Sequence, residues 1–181
     1  MITRTLLRTV PLSALLSLGL YAQSTPASIF KASFLAQLDD TEKKIVSLAE
    51  AMPQEKYSWR PEEGVRSISE VYVHIAGANY GFTTFLGAKM PAGLDPKMEK
   101  TITEKAKVLE TLKASFEFAR NVVKGLSDAD LTKETKFFGG RMMSYEGVLF
   151  VMANHMHEHL GQSIAYARAN HVTPPWSKKE S

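Results

Sequence analysis

Apolar residues recur every three or four positions along four stretches of the chain, with polar residues between them. This spacing places the apolar side chains on one helix face and predicts α-helices over residues 27–52, 67–88, 101–125 and 144–170. Each helix is amphipathic, so its apolar face has to be covered by the other helices. The sequence therefore predicts an all-α four-helix bundle, with a long irregular connection over residues 126–143 between the third and fourth helices.

Local sequence signals mark where several of these helices begin. Ser67 with Glu70, and Thr101 with Glu104, have the spacing of a capping box, in which each side chain bonds the backbone N–H of the other residue. Ser144 precedes the last apolar stripe and is predicted to cap the fourth helix. The starts of the second, third and fourth helices are thus predicted from residues close to each start.

Three stretches between the predicted helices lack helical periodicity, and one of them is a turn-rich connection over residues 91–96. Residues 53–65 contain prolines and a glycine, and Tyr57 and Trp59 within them are expected to cover an end of the bundle in preference to binding a ligand. Residues 126–143 are predicted to contain a short helix and then a hairpin-like turn at two adjacent glycines.

Two histidines, His155 and His159, lie four residues apart in the predicted fourth helix. Residues at this spacing are about 40° apart around the helix axis and about 6 Å apart along it, so both imidazoles can reach one metal ion. His74 borders the apolar stripe of the predicted second helix and can face the same interior. Because an open catalytic site commonly uses three protein ligands, these three residues are the candidate metal ligands.

Each of these histidines is also compatible with a hydrogen-bonded core residue, and that interpretation stays open. Three inward imidazoles favour a cation, because a divalent ion accepts lone pairs that a low-dielectric interior would leave unpaired. His157 is two residues from both His155 and His159, hence about 200° away around the helix, and is predicted to be structural or exposed. His171 follows the last helix and is predicted to lie at the surface or to cap its C-terminus.

Residues beside the histidine pair have further candidate roles. Glu158 is a candidate general base toward metal-bound water, and the alternative is an exposed, ion-pairing glutamate. The order His155-x-x-Glu158-His159 also matches the inverted zincin motif, but that family needs a third ligand well downstream, where few residues remain. Gln162 either orients a ligand or bound water, or packs at the bundle end.

The first residues, 1–22, have the features of a secretory signal peptide. Two arginines precede a short apolar run, and Ala22 is a small residue suited to cleavage, with Ala27 as the alternative. The run is shorter than the roughly 20 residues that span a bilayer, although an uncleaved anchor is the competing interpretation. We therefore expect a bundle domain over residues 23–175, a tail over residues 176–181, and a periplasmic or secreted protein.

The amino-acid composition excludes several kinds of chemistry and of binding partner. The chain has no cysteine, which excludes disulfides, thiolate ligands, a cysteine nucleophile and lipid attachment to a cysteine. The formal net charge of +3 falls to +1 without the two arginines of the signal peptide, and the other basic residues are interspersed with acidic ones. We therefore expect no nucleic acid partner and no membrane contact after cleavage, and a homodimer stays open.

Three motifs, taken in order, resemble the DinB/YfiT-like family of metalloenzymes. They are Trp59-Arg60-Pro61-Glu62-Glu63-Gly64, Ser67-x-x-Glu70-x-x-x-His74 and His155-x-x-x-His159-x-Gly161-Gln162. The resemblance implies a four-helix bundle in which His74, His155 and His159 hold one divalent metal ion, often nickel or zinc. It also implies relatives that are thiol-dependent transferases or isomerases. Thiol cosubstrates are mainly cytosolic, so the export signal argues against that chemistry here.

The resulting functional prediction is a metal-dependent hydrolase-type enzyme that uses metal-bound water as the nucleophile. Three neutral ligands leave a divalent ion its full charge, which lowers the pKa of bound water and polarises a carbonyl or phosphoryl oxygen. Two alternatives stay open: metal-dependent transfer of a thiol to a small electrophile, and a non-enzymatic metal or small-ligand binding protein. A small-molecule substrate is expected, but the sequence does not indicate which one.

Overall fold

The computed structural model describes residues 25–177, and its architecture is a helical bundle. The helices are α1 (Pro26–Ala51), α2 (Ile68–Phe85), the single-turn α3 (Met98–Thr101), α4 (Lys105–Gly125) and α5 (Tyr145–Ala169). Both α1 and α2 pack against α4 and α5, so the predicted four-helix bundle is confirmed, and α2 and α5 are neighbours. The predicted signal peptide and residues 178–181 of the tail lie outside the described residues.

The core lies where the apolar stripes of the four long helices meet. Its fully buried members include Leu38, Ile45, Leu48, Ile75, Leu112, Phe116, Leu149 and Met152. Burial of one such side chain stabilises the fold by roughly 1.5–3 kcal/mol. Tyr57 covers one end of this core: it is 1% exposed, and its hydroxyl donates to the Ala49 carbonyl at 2.8 Å. Burial and, to a lesser degree, the charge of Glu50 raise the pKa of Tyr57.

The capping signals predicted for α2 and α5 are present. The Ser67 hydroxyl accepts from the Glu70 backbone N–H at 3.3 Å, and the Glu70 carboxylate accepts from the Ser67 N–H at 2.7 Å. The Ser144 hydroxyl accepts from the Gly147 N–H at 3.1 Å. The positions of His74 and of the histidine pair along their helices therefore follow from locally determined helix starts.

The predicted capping box at Thr101 and Glu104 is wrong. Thr101 is the last residue of α3, where its hydroxyl donates to Asp95 at 2.9 Å, and the residue directly before α4 is Glu104, so Thr101 is not at the N-cap position of that helix. Helix α4 begins at Lys105 after Glu104, which makes no side-chain capping bond, and the Lys105 N–H donates to the side chain of Gln54 at 2.6 Å. A distant side chain thus satisfies the first N–H of α4.

The second helix ends three residues earlier than the predicted residue 88. It ends at Phe85, and Gly87 then has a φ of 84°, in the left-handed region that favours glycine. Apolar periodicity continues past this point in the sequence, but the positive φ of the glycine terminates the helical path.

The connection between α4 and α5 contains a small hairpin. Strands β1 (Glu134–Lys136) and β2 (Met142–Ser144) pair antiparallel, with Thr135 opposite Met143. The turn uses Gly139 and Gly140 at φ values of 70° and 79°, as the predicted hairpin-like turn requires. The predicted short helix is a single 3-10 turn over Asp130–Thr132.

The end of α5 is a Schellman motif. The N–H of His171, at a φ of 61°, donates to the Arg168 carbonyl at 3.0 Å, and the Val172 N–H donates to Ala167 at 2.9 Å. His171 is exposed just past the helix, in agreement with its predicted position. Among the helices of residues 25–177, we find none with the length and apolar character needed to cross a bilayer.

Candidate metal centre

The three predicted histidines meet at the interface between α2 and α5. One ring nitrogen of each of His74, His155 and His159 lies within 4.8 Å of the others. The Nε2 atom of His155 is 3.1 Å from the Nε2 of His74 and 3.1 Å from the Nε2 of His159. His159 is buried, and the other two are half-buried. The packing of α2 beside α5 thus brings together residues that are 81 positions apart in the chain.

The outer nitrogen of His74 is bonded to a carboxylate. Its Nδ1 lies 3.1 Å from Oε2 of Glu99, and the other carboxylate oxygen of Glu99 accepts from Nε of Arg66 at 2.9 Å. Burial tends to raise the pKa of Glu99, but the hydrogen bond and charge of Arg66, with the contact to His74, lower it below its usual range. Because an ionised carboxylate only accepts, Nδ1 of His74 carries the proton and Nε2 presents a lone pair.

The outer nitrogen of His159 is held by an amide. Its Nδ1 lies 2.8 Å from Oε1 of Gln162, whose Nε2 donates to the Tyr166 hydroxyl at 3.0 Å. With its amide nitrogen directed at Tyr166, Gln162 offers an acceptor to His159, so Nδ1 of His159 also carries the proton. The Nε2 atom of His159 therefore presents a second lone pair to the cluster, and Gln162 orients a candidate ligand.

His155 cannot satisfy both neighbours by hydrogen bonding. Its Nε2 can donate one proton, to His74 or to His159, which leaves the other lone pair facing a nitrogen at 3.1 Å. Its Nδ1 is buried and has no hydrogen-bond partner within the described residues. Burial and the neighbouring charges of His159 and His74 lower the pKa of His155 to about 4, so protonation near neutral pH does not relieve the conflict. Convergent lone pairs of this kind fit a divalent cation.

Other candidate residues lie outside this cluster. His157 is exposed on another face of α5, where its Nδ1 donates to the Ala153 carbonyl at 2.8 Å and its Nε2 is 3.4 Å from the Thr41 hydroxyl of α1. This position agrees with the predicted structural or exposed role of His157. Glu158 is exposed and does not line the cavity beside the histidines, and its role as general base stays a prediction.

The structure adds Glu99 to the residues that the sequence indicated. Glu99 lies on α3, within a connection whose turn-rich composition gave no periodic signal. A helix-start signal is nevertheless present, since Asp95-Pro96 precedes α3 and the Asp95 carboxylate accepts from the Lys97 N–H at 2.8 Å. That signal locates a helical turn, but the contact of Glu99 with His74 depends on tertiary packing.

Ion pairs hold α3 against the start of α2. Glu70 contacts Lys100 at 2.9 Å and Arg60 at 3.2 Å, while Arg66 contacts Glu99 at 2.9 Å. Burial tends to raise the pKa of Glu70, but the bonds from Lys100 and Ser67 and the charge of Arg60 lower it to about 2. These contacts give the arginines around the Trp59 motif a structural role in placing Glu99.

The aromatic residue of the same motif supports the opposite side of the centre. Trp59 packs edge-on against Tyr166 with ring centroids 5.3 Å apart, and Tyr166 accepts from Gln162, which bonds His159. The segment before α2 therefore stabilises the outer hydrogen-bond partners of two histidines, one through α3 and one through α5.

Histidines supplied by two adjacent helices of a four-helix bundle place the chain in the class of helical proteins with a candidate metal centre in the bundle. The model of the DinB superfamily matches residues 37–163, and the chain belongs to this superfamily. No functionally curated protein matches the chain.

Solved structures of similar fold support this assignment. A DinB-like protein from Bacillus cereus is 22% identical, with a TM-score of 0.68 over 81% of this chain and 93% of that one. The DinB-like protein YjoA from Bacillus subtilis is 20% identical, with a TM-score of 0.64 over 82% and 99%. YfiT from Bacillus subtilis, described as a probable metal-dependent hydrolase with an unusual four-helix bundle topology, is 17% identical, with a TM-score of 0.63 over 79% and 89%.

Proposed function

We propose that this chain is an exported metal-dependent hydrolase whose centre is formed by His74, His155 and His159. The observation that carries the proposal is the convergence of three Nε2 atoms, two of which present lone pairs because their Nδ1 atoms are bonded to Glu99 and Gln162. The description of YfiT as a metal-dependent hydrolase supports the same activity by analogy of fold.

The three histidines would hold one divalent ion, with nickel and zinc as the candidate metals. When bound, such an ion lowers the pKa of a coordinated water and polarises a carbonyl or phosphoryl oxygen of a substrate. Neutral imidazoles leave the charge of the ion uncompensated, which suits it to this chemistry.

The remaining residues orient the ligands and handle protons. Glu99, fixed by Arg66, and Gln162, fixed by Tyr166, hold the imidazoles of His74 and His159 in one tautomer. Glu158, exposed on α5 and outside the lining of the cavity, stays the proposed proton acceptor for a water at the centre.

Metal analysis followed by reconstitution tests the proposal. Protein purified without a histidine tag should contain about one divalent ion per chain by elemental analysis. Chelator-treated protein should lose hydrolysis of a small uncharged ester such as 4-nitrophenyl acetate, and added zinc or nickel should restore it. Turnover that requires an added thiol would instead identify a transferase, and stoichiometric metal without turnover of either kind would identify a binding protein.

Export is proposed from the sequence of residues 1–22 and is tested separately. Protein isolated from its native cell should lack the signal peptide by intact-mass measurement and should be found outside the cytoplasm. A full-length mass in the cytoplasmic fraction would contradict export. It would also remove the argument against a thiol-dependent transferase.

A further inference from the structure

A cavity of about 410 Å³ opens beside His74 and His155 and extends along α2. Building on the proposed function, we infer that the site accepts an uncharged substrate with an apolar group about the size of an aromatic ring. The reacting group would lie at the histidine end, and the apolar group would occupy the other end of the cavity. The volume is within the range of small-molecule pockets.

Glycines on α2 make room for this group. An added Cβ at Gly77 would lie 3.0 Å from the terminal carbon of Met98, so α3 is packed closely against the helix at that point. One turn later, an added Cβ at Gly81 would meet no atom within 4 Å, although Gly81 lines the cavity. The space beside Gly81 is therefore free to take part of a ligand, and the other lining residues come from α2, the α3 region, the hairpin turn and His155.

Charge is confined to the histidine end of the cavity. The ionisable lining residues are His74, His155 and Glu99, and Glu99 is already bonded to Arg66 and His74. Within the described part of the chain, no lysine or arginine lines this cavity. A carboxylate or phosphate at the far end would lose hydration without gaining a cationic partner, which is unfavourable.

The far end is instead apolar and aromatic. Phe82 lines the cavity next to the histidine end, with its ring centroid 5.4 Å from that of His155, and Phe138 of the hairpin turn continues the aromatic lining, 6.3 Å from the ring of Phe82. Phe138 is 65% exposed, although its ring contacts Phe85 and Phe137 at centroid distances of 4.9 and 4.7 Å. An exposed phenylalanine at a cavity opening is suited to covering an apolar ligand.

Three hydroxamates test the inference, because each carries the same metal-chelating group and they differ only in the group attached to it. Binding of acetohydroxamate, benzohydroxamate and succinohydroxamate to the zinc-loaded protein is measured by titration calorimetry. We expect benzohydroxamate to bind at least about tenfold more tightly than acetohydroxamate, since the ring buries apolar area. Succinohydroxamate, which carries a carboxylate in place of the ring, should show no such gain.

Two variants locate the effect in the cavity. Gly81→Leu fills the open space beside Gly81 and should abolish the tighter binding of benzohydroxamate. The affinity for acetohydroxamate should stay within about twofold. Thr84→Leu, one turn later on the exposed side of α2, is the matched control and should retain the advantage. Phe138→Ala, at a position that is 65% exposed, should reduce the advantage of benzohydroxamate a few-fold.

A metal-free measurement separates this inference from the proposed function. Benzyl alcohol should shift the methyl NMR signal of Met98 in the chelator-treated protein and should not do so in Gly81→Leu. If the protein holds no zinc but this shift is observed, the apolar subsite stands and the metal-dependent function fails. If zinc is held but benzohydroxamate has no advantage, or Gly81→Leu leaves that advantage intact, the subsite is overturned and the metal function stands.

Discussion

The cleft between α1 and α4 and the cleft beside the three histidines differ in how their ionisable side chains are partnered. The cleft between α1 and α4 is the larger, at about 630 Å³. Within it Arg120 pairs with Asp39 at 2.7 Å and with Glu42, while Lys113 pairs with Glu50 at 2.8 Å. Five of its seven charged lining residues are joined in these ion pairs, so the cleft has the character of a solvated helix interface.

The cleft between α2 and α5 is smaller, but its groups do not neutralise one another. Three imidazole nitrogens converge, and His155 cannot hydrogen-bond both of its neighbours. Glu99 and Gln162 bond the Nδ1 atoms of His74 and His159, so that the Nε2 lone pairs of both residues face the cluster. The comparison shows that the candidate functional site is identified by converging imidazole nitrogens with unsatisfied lone pairs, and not by the volume of the cavity.

Among the substitutions that test this comparison, removal of a histidine of the cluster should have the largest effect on zinc affinity. His74→Ala, His155→Ala or His159→Ala should each weaken zinc binding by on the order of 10²–10³-fold, because two imidazoles compete poorly with water. Elemental analysis and competition with a chelating dye measure the loss. The matched control is His157→Ala, whose side chain bonds Ala153 and faces Thr41, and which should retain about one ion per chain. Loss of metal in that variant, with retention in His155→Ala, would show that the assigned helix face is wrong.

Glu99→Gln should have the next largest effect. The substitution removes the negative charge of the carboxylate that contacts Nδ1 of His74 and pairs with Arg66. Zinc affinity should therefore fall by about 10–100-fold. Glu42→Gln makes the same chemical change in the α1–α4 cleft and should leave zinc affinity unchanged. Equal effects of the two substitutions would mean that overall charge, and not placement beside His74, determines the affinity.

A smaller effect, on stability, is expected from Glu70→Gln. Glu70 closes the capping box of α2 and pairs with Lys100 and Arg60, so the free energy of unfolding should fall by about 1–2 kcal/mol in urea at pH 7. Exposed Glu63→Gln is the control and should change it little.

The Glu70 carboxylate should also affect how the free energy of unfolding depends on pH under acidic conditions. The folded-state pKa of Glu70 lies at about 2, below its ordinary value of 4.5. Its contribution is therefore fully present above pH 4.5 and is lost as the pH falls toward 2. Urea unfolding at a series of pH values should show a shallower loss of stability in Glu70→Gln over this window. An unchanged slope would contradict the low folded-state pKa.

The smallest effect should come from the α1–α4 cleft. Glu50→Gln breaks its ion pair with Lys113, but both side chains are about half exposed, at 49% and 51%. The free energy of unfolding should change by less than about 0.5 kcal/mol, and zinc affinity should not change. A change of about 2 kcal/mol or more would show that the ion pairs of this cleft stabilise the bundle more than surface pairs usually do.

The sequence by itself determined features that depend on neighbouring residues. Apolar spacing of three and four located the long helices, and Ser67 with Glu70 located the start of α2 within one residue. The spacing of His155 and His159 likewise placed both side chains on one face, because helix geometry relates residues four apart irrespective of the rest of the fold.

Tertiary structure decided everything that depends on which helices are neighbours. The approach of His74 to His155 requires α2 to pack beside α5, and the contact of Glu99 with His74 requires α3 to be held by Arg66 and Glu70. The start of α4 depends on packing in the same way, since the Lys105 N–H donates to the side chain of Gln54, 51 residues earlier in the chain, and Glu104 makes no side-chain capping bond. Local patterns specify the face that a helix presents, whereas the partner of that face is selected by the burial and the charges of the whole bundle.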